Sequence, residues 1–127
     1  MQTEPRPSLA GLRVLVVEDA LLVADEIAAE LRGFGCTVVG PAGRLENALT
    51  LARDEALDGA ILDVNLAGQL CFPIADALAA RRIPFFFLTG YTNPDLFPPE
   101  HREVPRISKP YDADELGDLA EAAFRRH

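Results

Sequence analysis

A chain of 127 residues is a single domain by length, and 49% hydrophobic with 25% charged residues is the composition of a globular domain able to bury a core. The formal net charge of −8 comes without the clustered Lys and Arg that a phosphate backbone selects, so no nucleic-acid binding is expected. No stretch reaches the roughly 18 apolar residues of a membrane span, and the polar start Met1-Gln2-Thr3-Glu4-Pro5-Arg6-Pro7-Ser8 has no basic-then-apolar leader pattern, so a cytoplasmic chain with a flexible tail over residues 1–10 is expected.

Arg13-Val14-Leu15-Val16-Val17 is an apolar β-branched run that stops at two acids, Glu18 and Asp19, which suits a parallel strand buried on both faces. From Ala20 to Phe34, Leu22, Val23, Ile27, Leu31 and Phe34 recur at helical spacing, with Gly33 and Gly35 as the stop. Thr37 to Gly40 reads as a second strand, Arg44 to Asp54 as a helix carried by Leu45, Leu49 and Ala52, and Gly59 to Leu62 as a third strand closed by Asp63. A loop through Asn65, Ala67 and Gly68 leads to a helix over Cys71 to Arg81, with Pro73 tolerated in its first turn. Pro84 to Leu88 is the fourth strand. Between Asn93 and Pro105 stand Pro94, Pro98, Pro99 and Pro105, so a full helix there gives way to a loop or a turn or two. Val104 to Ser108 is the fifth strand, and Asp112 with Glu115 forms a capping box ahead of a last helix whose core face is Leu116, Leu119, Ala123 and Phe124.

Strands alternating with helices imply a parallel sheet with helices on both faces. In such a sheet the ligand crevice lies outside the carboxyl ends of the strands, and right-handed crossovers bring all those ends to one edge. Glu18-Asp19, Asp63, Thr89 and Lys109 each follow or end a strand, so they are expected to converge. Three carboxylates near one point repel and call for a hard cation with oxygen ligands, of which Mg²⁺ fits best. With Lys109 and the Thr89 hydroxyl to contact phosphoryl oxygens, Asp63 becomes an in-line nucleophile that forms an aspartyl phosphate.

Each of these residues also has a plainer reading. Glu18 and Asp19 could cap the first helix, Asp63 could serve a turn, Thr89 could bond backbone, and Lys109 could extend its ammonium into water. The joint placement favours chemistry over these. His101 and His127, in a proline-rich segment and at the terminus, are not expected as phosphohistidine sites. Cys36 and Cys71 fall in no metal-ligand spacing and are expected as buried free thiols.

The run from Leu12 to Phe124 resembles a response-regulator receiver domain, through Val16-Val17-Glu18-Asp19, Ile61-Leu62-Asp63-Val64-Asn65, Leu88-Thr89-Gly90 and Ser108-Lys109-Pro110. The resemblance implies a receiver over residues 11–127, of flavodoxin-like α/β fold: a doubly wound five-stranded parallel sheet of order 2-1-3-4-5, here with the fourth helix short or missing. It further implies that Asp63 is the phosphoacceptor, that Asp19 binds Mg²⁺ directly and Glu18 through water, and that the Asn65 backbone carbonyl is another ligand. Gly90 leaves room for the phosphoryl group. A cis Lys109–Pro110 bond is suggested by the family and permitted by chemistry, costing about 0.5–1 kcal/mol.

Two departures stand out. Receivers usually carry Tyr or Phe three residues before the lysine, where this chain has Arg106. Phe87-Leu88-Thr89-Gly90-Tyr91 is similar to a Phe-x-Thr-Gly-Tyr subgroup, which makes Thr89, Gly90 and Tyr91 the expected switch. The implied protein is a stand-alone phosphoacceptor, not a turnover enzyme. Its expected partners are a histidine kinase or histidine phosphotransfer protein and a downstream regulatory protein, and it is expected as a monomer when unphosphorylated. The rival readings are a phosphorylation-independent scaffold and a small aspartyl-phosphate phosphatase. The latter wants a second acid two residues after the nucleophile, where the chain has Asn65.

Overall fold

The computed structural model describes residues 3–90 and 94–124. In chain order the elements are β1 (Arg13–Val17), α1 (Leu21–Phe34), β2 (Thr37–Ala42), α2 (Leu45–Asp54), β3 (Gly59–Asp63), the short strands β4 (Asn65–Leu66) and β5 (Gln69–Leu70), α3 (Phe72–Ala80), β6 (Phe85–Thr89), β7 (Arg106–Ser108) and α4 (Ala113–Phe124). The main sheet is parallel with order β2-β1-β3-β6-β7, the flavodoxin-like order 2-1-3-4-5 when its five strands alone are numbered.

Period-two alternation along the strands divides the core. Leu15, Val17, Leu62 and Phe87 point toward α2 and α3. Val14, Val16, Ile61, Phe86 and Leu88 point toward α1 and α4. Each central strand is therefore apolar on both faces, which is why its sequence reads as a continuous run. Helix α1 ends at Gly35, whose φ of 109° lets its N–H reach back to the Arg32 and Leu31 carbonyls. At the start of α4 the capping box is formed: Glu115 N–H donates to Asp112 Oδ1 at 2.8 Å, and Asp112 N–H to Glu115 Oε1 at 3.4 Å.

Several local expectations are corrected. Leu22, expected on the core face of α1, is 83% exposed, and Leu21 beside it is 74% exposed. Ala24 and Ala28 join Ile27, Leu31 and Phe34 on the buried face, whereas Leu22, five residues before Ile27, falls off it at 3.6 residues per turn. Strand β2 runs past Gly40 to Ala42 through a cis Gly40–Pro41 bond. Gly40 has φ 91°, and a Cβ there would come within 2.9 Å of the Ala42 nitrogen. Strand β7 begins at Arg106, not Val104, because Pro105 has no N–H for the ladder and contributes only its carbonyl, to Phe87 N–H at 3.1 Å. The expected loop after Asp63 is a tight hairpin, β4 paired with β5, turning on Ala67 and Gly68 at φ 50° and 90°.

In place of a full helix between β6 and β7 stand two 3₁₀ turns, Pro94–Leu96 and Pro99–His101. They are fastened from inside. Phe97 is 1% exposed, with its ring 5.6 Å from Phe72 and 5.2 Å from Phe87. His101 is buried beside it, stacked on Phe72, with Nε2 2.7 Å from Asp76 Oδ1 on α3.

The flexible tail expected through residue 10 is also corrected. Pro7–Leu9 forms a 3₁₀ turn, and Leu9 is fully buried in the α1–α4 side of the core. Arg6 N–H donates to the Phe34 carbonyl at 2.9 Å, and its guanidinium lies 5.0 Å from the Phe34 ring. The same guanidinium pairs with Asp118 at 2.9 Å and Glu121 at 2.5 Å on α4. One buried leucine and one arginine among three acids hold a segment whose polar composition reads as loose.

Candidate functional site

Parallel register fixes the site. Val17 lies opposite Leu62, Asp63 opposite Leu88, and Thr89 opposite Ser108, so Glu18, Asp63, Thr89 and Lys109 all emerge at the carboxyl edge. Glu18 and Asp63 are 3% and 7% exposed, whereas Asp19 faces solvent. Oxygens of Glu18, Asp19 and Asp63 lie within 4.8 Å of one another.

Lys109 is the counter-charge. Its Nζ donates to Glu18 Oε1 at 2.8 Å and stands 3.4 Å from Asp63 Oδ1. The Lys109 backbone N–H donates to the Thr89 carbonyl at 2.9 Å, and the Lys109–Pro110 bond is cis. The remaining Glu18 oxygen accepts the Ala20 N–H at 3.2 Å. Asp19 Oδ2 accepts the Ala67 N–H at 2.9 Å, which ties the β4–β5 hairpin to the acidic pair.

One ammonium does not balance three carboxylates. Burial, followed by the Glu18 carboxylate, pushes Asp63 up to about 7, and Lys109 offsets only part of this. Burial acts on Asp19 in the same sense, but the Ala67 N–H and the Glu18 and Asp63 side chains hold it below the usual carboxylate value. Lys109 is held above its ordinary value: burial lowers it, and the Glu18 and Asp63 carboxylates outweigh that. The donor set is all oxygen, preformed and short of positive charge, so it fits a hard divalent cation such as Mg²⁺.

Among the other expected residues, Thr89 is 1% exposed at the end of β6. Asn65 sits on β4 with Oδ1 accepting the Gly68 N–H at 2.8 Å. Gly90 is exposed, and a Cβ there would meet nothing within 4 Å. Tyr91 lies outside the described residues. Arg106, in the place of the usual aromatic, lays its guanidinium 3.8 Å from the centre of the Phe97 ring and donates to the Arg102 carbonyl at 2.7 Å. Cys71 is fully buried, its thiol pushed up to about 12 by burial and then by the charge of Asp63; Cys36 is buried and pushed up to about 11. Both are the free buried thiols expected.

Sequence reading missed two contributors. The Ala67 N–H is a backbone group with no side-chain signal. Tyr111 donates its hydroxyl to Glu30 Oε1 at 2.8 Å, joining the turn after Lys109 to α1; the adjacency Lys109-Pro110-Tyr111 was its one visible trace.

No protein-family model matches the chain. Among solved structures it is similar to SdrG from Sphingomonas melonis Fr1, at 38% identity and TM-score 0.75 over 90% of this chain and 96% of that one. SdrG is also known in a BeF3-activated conformation. The signal receiver domain of a modulated diguanylate cyclase from Desulfovibrio desulfuricans G20 matches at 30% identity and TM-score 0.80, over 90% of this chain and 94% of that one. The chain belongs to the response-regulator receiver family. A curated relative of this receiver is the transcriptional regulatory protein PdtaR of Mycobacterium tuberculosis, 31% identical over 90% of the chain. The receiver spans only 57% of that relative's length. Among its described residues no helix is long and apolar enough to cross a membrane.

Proposed function

We propose that this receiver accepts a phosphoryl group on Asp63 from a phosphohistidine of a partner histidine kinase or phosphotransfer protein, and signals by changing which regulatory protein its surface contacts. The observation that carries the proposal is the Lys109 ammonium set between the buried Glu18 and Asp63 carboxylates beside the exposed Asp19. The BeF3-activated form of SdrG supports it, since BeF3 imitates a phosphoryl group on a carboxylate.

Asp19, Asp63 and the Asn65 backbone carbonyl, with Glu18 through water, would hold Mg²⁺, whose charge would offset that of the phosphoryl oxygens. An Asp63 carboxylate oxygen forms the new bond to phosphorus as the phosphorus–nitrogen bond to the donor imidazole breaks, and the imidazole leaves with the bonding pair. Lys109 moves from pairing Asp63 to pairing a phosphoryl oxygen, and the Thr89 hydroxyl donates to another. Gly90 presents no side chain to the incoming group. Thr89, Gly90 and Tyr91 then form the two-state region that phosphorylation biases.

Asn65 weighs against a phosphatase: a carboxamide whose oxygen already accepts the Gly68 N–H cannot serve as general acid. Incubation with a small phosphoramidate donor and Mg²⁺, followed by phosphate-affinity electrophoresis, tests the proposal. The wild type should reach one phosphoryl group per chain and Asp63→Ala none. Equal labelling of the two, or many turnovers of a phosphomonoester, would contradict it.

A further inference from the structure

Lys109 must deliver its ammonium to a point between Glu18 and Asp63, yet it opens the last turn before α4, where the pairing of β6 with β7 ends at Thr89 and Ser108. Upstream, the Lys109 N–H is held by the Thr89 carbonyl at 2.9 Å. Downstream, Asp112 is held by its capping box with Glu115. Neither contact fixes the turn relative to α1, the helix that opens directly after Glu18 and Asp19.

Tyr111 supplies that tie. Its ring packs against the α1–α4 side of the core, and its hydroxyl donates to Glu30 Oε1 at 2.8 Å. Glu30 sits on the third turn of α1, so the bond joins the lysine-bearing turn to the helix that carries the acidic pair at its head. We propose that Tyr111 is a positioning residue for Lys109: its hydroxyl, held by Glu30, sets where the ammonium meets the Glu18 and Asp63 carboxylates. The inference rests on the reading of Asp63 as a phosphoryl acceptor.

A tether of this kind matters most where placement matters most, in the transfer step, and little for holding Mg²⁺, since Lys109 is no ligand. Tyr111→Phe should therefore slow phosphorylation of Asp63 by a small phosphoramidate on the order of tenfold. Its Mg²⁺ affinity should be unchanged or tighter, because a displaced ammonium competes less with the cation. Glu30→Gln, which keeps an acceptor oxygen, should retain the wild-type rate, whereas Glu30→Leu should match Tyr111→Phe. In a Lys109→Met background, Tyr111→Phe should add no further loss.

A Tyr111→Phe rate equal to wild type, or a further loss in the Lys109→Met background, would overturn the positioning role while leaving the acceptor reading in place. A wild type that takes no phosphoryl group on Asp63 would overturn both.

Discussion

Asp63 is a carboxylate whose surroundings disfavour its charge, and the sign of the consequence can be worked through. Its folded-state value, about 7, lies above the ordinary 3.8, so without metal the folded chain binds a proton that the unfolded chain has released. The contribution of Asp63 to stability is then fully present below about pH 4 and is lost as pH rises toward 7. Thermal melts in chelator should show this decline, and saturating Mg²⁺ should flatten it; a metal-free profile that rises through this window would contradict the account. Asp63→Asn keeps the shape and removes the charge, so in chelator it should melt several degrees above wild type while accepting no phosphoryl group. Lys109→Met removes the partner of a buried Glu18, so it should cost on the order of 2 kcal/mol in metal-free urea unfolding, with Mg²⁺ restoring part of the loss. The identities of Glu18, Asp19, Asp63, Thr89 and Lys109 were legible in the sequence because each directly ends or follows an apolar strand. Ala67 and Tyr111 were not, since one acts through its backbone and the other through a helix 81 residues earlier in the chain.

At the scale of elements, periodicity located α1, α2, α3 and α4, but an apolar residue inside a helical span does not by its type alone belong to the core face. Leu22 falls five and nine residues from Ile27 and Leu31, and so on the side of α1 away from them at 3.6 residues per turn, where it stands exposed with Leu21 in the first turn; Val23 is the residue that keeps their spacing. On the proposed function, these two exposed leucines, two and three residues after Asp19, are where a donor protein would approach. Replacing both with Ser should slow phosphotransfer from a partner phosphohistidine protein while leaving the rate from a small phosphoramidate unchanged; equal slowing of both would contradict this placement. Prolines marked correctly that the described residues between β6 and β7 hold no full helix. They gave no sign that Phe97 and His101 fasten it, because aromatic burial there depends on Phe72 and Phe87 from distant strands and helices. Phe97→Ala, which leaves a cavity between those rings, should cost about 3–5 kcal/mol in denaturant unfolding. The N-terminal segment escaped sequence reading for a related reason: a polar stretch with prolines resembles a tail until Leu9 and Arg6 are seen against α1 and α4.

For the whole molecule, one architectural fact governs function. Five parallel strands place their carboxyl ends along a single edge, so residues far apart in sequence meet without any long side chain reaching across the fold. The parallel sheet was legible because apolar strand runs alternate with helices, whereas its order, 2-1-3-4-5, came with the resemblance to receivers. The phosphoryl-accepting role of that edge is the central claim, and the most direct test is to trap the acyl phosphate chemically. After reaction with a phosphoramidate and Mg²⁺, borohydride reduction converts a phosphorylated aspartate to homoserine, which peptide mass spectrometry assigns to a position. Homoserine at residue 63, absent when Mg²⁺ is chelated, is the predicted result; an unmodified residue 63, or conversion at another aspartate, would contradict the account.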